Sequence, residues 1–281
     1  RQAELCTIAA HNFPALDLNH ISVRNDDGVA YLETMSPVDC IFLDPARRNE
    51  HGGKTVAISD CEPNVAELEG LLLSKANRIM IKLSPMLDLS QALKELPHTQ
   101  EVHIISVNNE CKELLLLLGQ TAPEEIPVHC VNLSTKGEQE KQLFVFTREQ
   151  EQHSECSYTD TLGNYLYEPN ASLLKAGAFR SIAAAYSVKK LHPNSHLYTS
   201  DTQIEGFPGR TFRIINRCSL NKKEIKENLS DLKKANITVR NFPATVAELR
   251  KRIKLAEGGD TYLFASTLND GQKILIRCGK V

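Results

Sequence analysis

The chain has 281 residues, which is enough for about two domains that each bury a core of their own. Its apolar and charged fractions, 41% and 24%, are ordinary for a globular protein. The longest apolar run, Leu114–Leu118, is far too short to cross a bilayer, and no secretory signal is visible. These features exclude a membrane protein of the helical kind and predict a cytoplasmic one.

Charge is distributed unevenly along the chain. Residues 207–281 hold 16 lysines and arginines against 7 acidic residues, a net charge of +9, whereas residues 1–206 hold 17 against 28, a net charge of −11. A basic carboxyl-terminal part suggests a polyanionic partner, since phosphate contacts dominate nucleic-acid affinity. Solvated lysines on amphipathic helices would produce the same surplus, and the two readings carry about equal weight.

The eight cysteines are scattered, without a Cys-x-x-Cys pair and without a Cys/His cluster at zinc spacing. Several lie in apolar runs, so we expect most of them to be reduced core residues. No metal is expected from this pattern.

The first residues have helical spacing. Residues 1–12 place small and apolar side chains on one face but begin without a methionine or a cap, so we expect a helix cut from a longer chain. A short strand over His20–Arg24 is predicted next, followed by Asn25-Asp26-Asp27-Gly28 and a short helix ending at Tyr31–Thr34. Acids at a strand end suit hydrogen bonding to a ligand amine, and a plain Asp-Gly turn is at least as good an interpretation.

The strongest signal of the first half is Val38–Leu43 followed by Asp44-Pro45-Ala46-Arg47-Arg48. The apolar run predicts a buried parallel strand that stops at Pro45, which cannot donate to a strand ladder. Ligands of open α/β sheets bind at this carboxyl edge, where Asp44 could accept a proton or hydrogen bond and the two arginines suit an anion. The alternative is a strand-terminal turn with solvated arginines.

Strands and helices then alternate. Residues 49–54, with two glycines, predict a loop that could serve as a lid. The further predicted elements are a helix over 65–76 with Pro63 in its first turn, a strand over 78–83, a helix over 89–96 capped by Asp88, and a strand over 101–107. Asn108-Asn109 predicts a tight turn into an extended Lys112–Leu118, with a helix as the alternative. An antiparallel pair over 128–133 and 142–147 closes a doubly wound α/β sheet.

The second half begins with a polar link over 149–155. Tyr167-Glu168-Pro169-Asn170 opens a helix predicted to run to about Tyr186, and Tyr167, Glu168 and Lys175 could contribute to a site, although a capped surface helix is the safer interpretation. The final module is predicted as strand 212–216, helix 222–235, strand 237–240, helix 246–256, and strands 262–266 and 273–277. Capping boxes at Asn221…Glu224 and Thr245…Glu248 and a hairpin turn at Asn269-Asp270-Gly271 support this order.

This order of elements resembles the class I S-adenosylmethionine-dependent methyltransferases. More narrowly, it resembles the bacterial group that joins such a domain to a carboxyl-terminal THUMP-like domain. The resemblance spans most of the chain and is carried by Asp44-Pro45-Ala46-Arg47-Arg48, Ile81-Lys82-Leu83-Ser84-Pro85 and Tyr167-Glu168-Pro169-Asn170. It implies a partial Rossmann-like methyltransferase domain over 1–149, a small adaptor over 150–209, and an α+β THUMP-like domain over 210–281.

The resemblance also implies roles for particular residues. Asp44 would accept a hydrogen bond from the methyl acceptor, with Pro45, Arg47 and Lys82 in the catalytic group. The implied cofactor, S-adenosyl-L-methionine, would meet Asp26 or Asp27 at its adenine amine, and Asp44 and Ala46 beside it. Arg48, Ser84 and Pro85 would line the acceptor side. The THUMP likeness implies RNA as partner, a tRNA or rRNA base being the acceptor.

The sequence departs from the family pattern at its start. No Gly-x-Gly turn after an amino-terminal strand is present, so we expect a chain that lacks part of its cofactor site and binds cofactor weakly by itself. The alternatives are an RNA-binding protein on a degenerate methyltransferase scaffold, and a methyltransferase of small molecules whose basic module dimerises. Hydrolase interpretations lack a Gly-x-Ser-x-Gly elbow, a zinc helix motif and a phosphate loop.

Overall fold

The computed structural model describes residues 2–47, 57–135 and 141–281. Within these ranges the helices are α1 (Ala3–Ala15), α2 (Gly28–Thr34), α3 (Val65–Lys75), α4 (Leu89–Glu95), α5 (Arg148–His153), α6 (Ala171–Ala176), α7 (Phe179–Ala185), α8 (Lys222–Leu229) and α9 (Val246–Ile253). The first strands are β1 (Val38–Leu43), β2 (Ala46–Arg47), β3 (Cys61–Glu62), β4 (Ala76–Leu83), β5 (Thr99–Val107), β6 (Glu110–Gly119), β7 (Pro127–Leu133) and β8 (Lys141–Thr147). The remaining strands are β9 (Tyr165–Pro169), β10 (Lys189–Lys190), β11 (Tyr198–Ser200), β12 (Gly209–Cys218), β13 (Asn236–Arg240), β14 (Thr261–Thr267) and β15 (Lys273–Lys280).

The strands form two large mixed sheets and one short ribbon. The first sheet has the order β1-β4-β6-β5-β7-β8, and the second has the order β10-β11-β9-β12-β15-β14-β13. In the first sheet β1 pairs parallel with β4, β5 pairs parallel with β7, and β7 pairs antiparallel with β8. The predicted fold class, a doubly wound α/β sheet followed by an α+β module, is therefore confirmed.

The chain divides into two compact units. Unit 1 comprises Arg1–Gln100 and Leu116–Pro123, and unit 2 comprises Glu101–Leu115 and Glu124–Val281. No helix in the described ranges combines the length and the apolar composition that a bilayer crossing requires.

The core of unit 1 lies on β4 and α3. Ile79, Ile81 and Leu83 are buried at alternate positions of β4, which is the period that a strand requires for one inward face. Leu72 of α3 is fully buried and α3 packs on β4. These contacts fix the strand end at Leu83, where several of the predicted site residues follow.

The second sheet, in unit 2, is buried on both faces. Phe264 of β14 belongs to an apolar cluster on one face, with Phe212 and Ile276, whereas the neighbouring Leu263 belongs to a cluster on the other face, with Leu249 of α9. Because successive side chains of a strand point to opposite faces, a strand with both sets buried must be covered on both sides. Strand β9 pairs with β12, so residues predicted as an adaptor and residues predicted as a THUMP-like domain share this sheet.

Several predicted elements match the structure. The amino-terminal helix is present as α1, the helix capped by Asp88 is α4 with Asp88 accepting from the Gln91 amide, and the Asn108-Asn109 turn leads into the strand β6. The helical alternative for the leucine run of β6 was wrong. The Thr245…Glu248 capping box is confirmed, as is the turn at Gly271, whose φ is +86°.

Two predictions near the start of the chain were wrong. Residues 20–24 do not form a strand, because the Asp27 side chain caps α2 and the preceding residues lead into that helix. The strand β1 exists and pairs with β4 as predicted, but most of its side chains are exposed rather than buried. It stands at one end of the strand order, with β4 as its one neighbouring strand within the described ranges.

Five further differences concern the helices. Pro63 precedes the cap Asn64 instead of occupying the first turn of α3. Residues predicted as a polar link form α5, since Thr147 and Gln150 make a capping box.

The helix predicted to run to Tyr186 is split into α6 and α7 at Gly177, whose φ of +76° is left-handed. Helix α8 ends at Leu229, and Glu224 accepts from the Ser219 amide rather than completing a box with Asn221. The predicted lid over 49–54 lies outside the described residues.

Candidate functional site

The carboxyl ends of β1 and β4 bring two predicted catalytic residues together. Leu43 pairs with Ile81 in the parallel register, so the next residues, Asp44 just after β1 and Lys82 near the end of β4, lie side by side. The Lys82 Nζ lies 2.7 Å from the Asp44 Oδ2. Both side chains are partly exposed, so the pair contributes at most about 1 kcal/mol to stability. Its effect is to hold the Asp44 carboxylate at the sheet edge.

A cavity of about 700 Å³ in unit 1 gathers most of the predicted cofactor residues. Its lining comprises Asp26, Asp27, Gly28, Val29, Leu32, Leu43, Ala46, Glu62, Pro63, Asn64, Glu67 and Leu68. Asp26, Asp27 and Ala46, three of the four predicted cofactor contacts, are among them, whereas Asp44 lies outside the lining. Carboxylates and apolar side chains therefore share one concave surface, the usual composition of a small-molecule site.

Two of the four acidic residues that line the cavity, Asp26 and Asp27, are fixed by the start of α2. Asp27 Oδ1 accepts from the backbone amides of Val29 and Ala30 at 3.0 and 3.1 Å, which makes Asp27 the N-cap. Asp26 Oδ1 accepts from the Asp27 amide at 2.8 Å. The helix thus orients both carboxylates, and its amino end favours negative charge at this position.

Glu62, Asn64 and Glu67 also line the cavity, and none of them was predicted as a site residue. Asn64 caps α3 through the Ala66 amide, and its own side-chain amide donates to Glu67 Oε1 at 2.8 Å. Glu62 lies in β3, which pairs with β2 so that Ala46 is opposite Glu62. The Asn64-x-x-Glu67 spacing after Pro63 is a capping signal that would have located this part of the lining.

The remaining predicted residues are placed less centrally. Pro45 follows Asp44 and is half-buried, and Arg47 lies in β2 opposite Cys61. Ser84 and Pro85 follow β4 in a turn in which the Ser84 hydroxyl accepts from the Met86 amide at 3.3 Å, and neither residue lines the cavity. Arg48 lies outside the described residues.

Glu168 occupies a buried ionic cluster in unit 2. Its side chain is 2% exposed and forms ion pairs with Arg210 and, at 2.8 Å, with Arg240. Both oxygens of the carboxylate are therefore used by arginines, so Glu168 links β9 to β12 and to the end of β13. A contribution of Glu168 to a site stays a prediction, and in the structure its carboxylate is held in this ionic cluster.

Some basic residues of the last module, residues 210–281, make contacts within the fold, and others are exposed. Arg240 serves Glu168, and Arg250 donates to the Ala235 carbonyl, so neither is available to a polyanion without breaking a contact. The exposed basic side chains of this module include Arg213, Arg217, Lys222, Lys223, Lys226, Lys233, Lys234, Lys251, Arg252 and Lys254.

Comparison with known proteins places these features in a family. Residues 165–208 match the model of a ferredoxin-like domain, and residues 209–280 match the model of a THUMP domain-like family. None of the curated proteins matches the chain. The solved crystal structure of a "putative methyltransferase" from Porphyromonas gingivalis W83 matches with a TM-score of 0.89 and 39% identity, over 100% of this chain and 70% of that one. Full coverage at this identity shows that the chain belongs to the same family, that of class I methyltransferase-like proteins with a carboxyl-terminal THUMP-like domain.

Proposed function

We propose that the protein is an S-adenosylmethionine-dependent methyltransferase that modifies a base of tRNA or rRNA, with the THUMP-like module aiding RNA binding. One observation in unit 1 carries this proposal. The Asp44–Lys82 pair lies at the strand ends, and Leu43 and Ala46, which stand on either side of Asp44 in the sequence, line the acid-rich cavity. Family membership supports the reaction class, and the THUMP domain-like match supports the RNA.

The residues of the cavity fit the implied cofactor. An adenosyl group needs an apolar surface for its ring faces and an acceptor for its exocyclic amine, and the cavity offers both. Val29, Leu32 and Leu68 supply the apolar surface, and the Asp26 and Asp27 carboxylates supply acceptors. When bound, S-adenosylmethionine supplies an electrophilic methyl group on a sulfonium sulfur.

The chain's own residues then align and activate the acceptor. Asp44 accepts a hydrogen bond from the acceptor's N–H or O–H group, which directs the nucleophilic lone pair toward the methyl carbon. Asp44 would take up that proton as the acceptor–carbon bond forms and the sulfur–carbon bond breaks, with S-adenosylhomocysteine as the leaving group. Lys82 keeps the Asp44 carboxylate in place through the 2.7 Å ion pair. Arg48, Ser84 and Pro85 are assigned to the acceptor side, and Pro45 and Arg47 to the catalytic group with Asp44. The two arginines suit RNA phosphate. Alignment supplies most of the rate, and the reaction as proposed uses no metal.

The test is methyl transfer by the full natural chain, including any residues that its gene encodes before Arg1. Labelled S-adenosylmethionine is offered with unmodified tRNA or rRNA transcripts and, separately, with a small-molecule extract. We expect label in RNA, and a loss of about 100-fold or more in kcat for Asp44→Asn, which is the typical range for a lost proton acceptor.

Asp39→Asn is the matched control, because Asp39 is exposed on the same strand and does not line the cavity. It should change kcat less than about twofold, within the range of an ordinary surface substitution. Label in small molecules alone would overturn the RNA assignment, and equal activity of the two variants would overturn the role of Asp44. No transfer, together with salt-sensitive RNA binding, would favour the scaffold alternative.

A further inference from the structure

A cluster of two histidines and one glutamate lies on the first sheet, within unit 2. His103 of β5 pairs with His129 of β7 in the parallel register. Glu101 precedes His103 by two residues and therefore projects from the same face of β5. Sequence spacing alone does not show the group, because 25 residues separate its two histidines and only the strand register brings them together.

The three side chains converge on one point. The Glu101 Oε2 lies 3.2 Å from the His103 Nε2 and 3.8 Å from the His129 Nε2, and the three atoms lie within 4.8 Å of one another. The two imidazoles are stacked, with centroids 4.4 Å apart and planes inclined by 8°, so the rings run parallel and both Nε2 atoms approach the same carboxylate. Ligand atoms about 2.0–2.2 Å from a tetrahedral zinc ion are about 3.3–3.6 Å apart. A bound ion lies in the plane of each imidazole that binds it, so the stacked rings must also turn out of parallel about their side-chain torsions to close the site.

We propose that Glu101, His103 and His129 form a binding site for a divalent transition-metal cation such as Zn²⁺. Two imidazole nitrogens and one carboxylate oxygen are a donor set that suits zinc, cobalt, nickel or copper, whereas magnesium and calcium prefer oxygen ligands. The histidine side chains are about one quarter exposed, 27% for His103 and 25% for His129, so water or a ligand can reach a fourth coordination position.

The electrostatics favour a bound cation over two protonated rings. Stacked imidazolium ions would repel each other, and one carboxylate balances only one positive charge. A neutral imidazole keeps one nitrogen lone pair for a metal, and binding a cation in this form removes the repulsion between the rings.

The site is separate from the residues assigned to methyl transfer. None of its three residues lines the cavity described above, and Asp44 follows β1 whereas Lys82 lies in β4. Both β5 and β7 have a strand neighbour on each side, which holds the ligands on a rigid element. A cation here would bridge two strands and stabilise the folded state by mass action.

The test is titration of the metal-free protein with Co²⁺, followed by absorption, and with Zn²⁺, followed by calorimetry. We expect one ion per chain and the visible bands of cobalt bound to nitrogen and oxygen. His103→Gln, His129→Gln and Glu101→Gln should each weaken binding at least about tenfold, the lower bound for loss even of a supporting ligand contact. Thermal unfolding of each variant without metal shows that it folds.

His153→Gln is the matched control, because His153 is exposed in unit 2 and lies outside the cluster. It should bind cobalt as the wild type does. Undiminished binding by the three cluster variants would overturn the proposal and leave a hydrogen-bonded cluster. Cobalt bands characteristic of thiolate would overturn it as well, because one of the eight free cysteines, such as the exposed Cys40, would then be the ligand.

Discussion

The segment 2–47 and the second sheet, in unit 2, both contain large apolar side chains, but these are mostly exposed in the segment and buried in the sheet. Among the described residues of the segment, Leu32 is the one buried apolar side chain, and Leu5, Ile8, Leu16 and Phe42 are all largely exposed. In β14, by contrast, Leu263, Phe264 and Ala265 are inaccessible to solvent. Because hydrophobic stabilisation follows the area removed from water, the sheet contributes much of the stability of the folded chain and the segment little.

The largest effect on stability is expected when a buried phenylalanine of the sheet and an exposed phenylalanine of the segment are each replaced by alanine. Phe264→Ala removes a ring that is 0% exposed and should lower the free energy of unfolding by about 3–5 kcal/mol. Phe42→Ala removes the same ring from β1, where it is 58% exposed, and should cost less than about 1 kcal/mol. Denaturant unfolding of the two variants gives both values. Equal costs would show that β1 is buried in solution.

The buried ionic cluster of the sheet gives the second prediction. Glu168→Gln leaves Arg210 and Arg240 without their carboxylate, and breaking such a pair should destabilise unit 2 by about 2–4 kcal/mol, less than a fully buried pair because the arginines are partly exposed. The control is Glu257→Gln, whose carboxylate is 84% exposed and 3.7 Å from Arg250, with an expected cost near zero. Urea unfolding midpoints compare the two, and similar midpoints would contradict the structural role of Glu168.

Helix α7 has its cap supplied from another helix. Its own N-cap residue, Ala178, has no side-chain acceptor, and Glu151 of α5 instead accepts from the amides of Phe179, Arg180 and Ser181 at 2.8–3.0 Å. Glu151→Ala should cost about 1–2 kcal/mol, the upper part of the range for a lost cap. Glu149→Ala, a neighbour in α5, is the comparison, and a smaller cost for Glu151→Ala than for Glu149→Ala would refute the cap.

We expect His196 to make the free energy of unfolding of unit 2 depend on pH. Its ring stacks on Phe179 at 3.7 Å, and burial, with the charges of Lys190 and Arg240, lowers its pKa to about 4. Between pH 6.5 and 4 the unfolded chain binds more protons than the folded one, so the stability that is present above pH 6.5 is lost as the pH falls. The loss should be on the order of 1 kcal/mol, since the ring is half-buried. Unfolding at pH 7 and 4.5 measures it, and His196→Asn should flatten the difference.

Local patterns predicted the fold well where one residue decides the local structure. Asp88, Thr245 and the Asn108-Asn109 turn are such positions, and all three act as expected. The split of the adaptor helix at Gly177 was missed, because helical spacing continues across it and a single left-handed residue leaves no change in period. The exposure of β1 could not be predicted either, since burial depends on which strands stand beside it.

The candidate site was also predicted only in part, because some of its residues lie beside recognisable strands and others do not. Asp44 follows β1 and Lys82 lies near the carboxyl end of β4, and both strands are recognisable in the sequence, so their meeting at the sheet edge follows from parallel pairing. The wall formed by Glu62 and Glu67 depends on the short ribbon of β2 and β3, which has two residues in each strand and no pattern of its own. The histidine pair of β5 and β7 depends on register, which one sequence does not fix.

The most direct test of the proposed function is calorimetric titration of S-adenosylhomocysteine into the full natural chain and into its Ala46→Trp variant. Ala46 lines the cavity and is exposed, so a tryptophan there fills the space without disturbing the core. We predict one binding site in the natural chain and a loss of at least about tenfold in affinity in the variant, the cost of about 1.4 kcal/mol of lost contact. Absence of binding by the natural chain, or equal binding by both, would contradict the assignment of this cavity to the methyl donor.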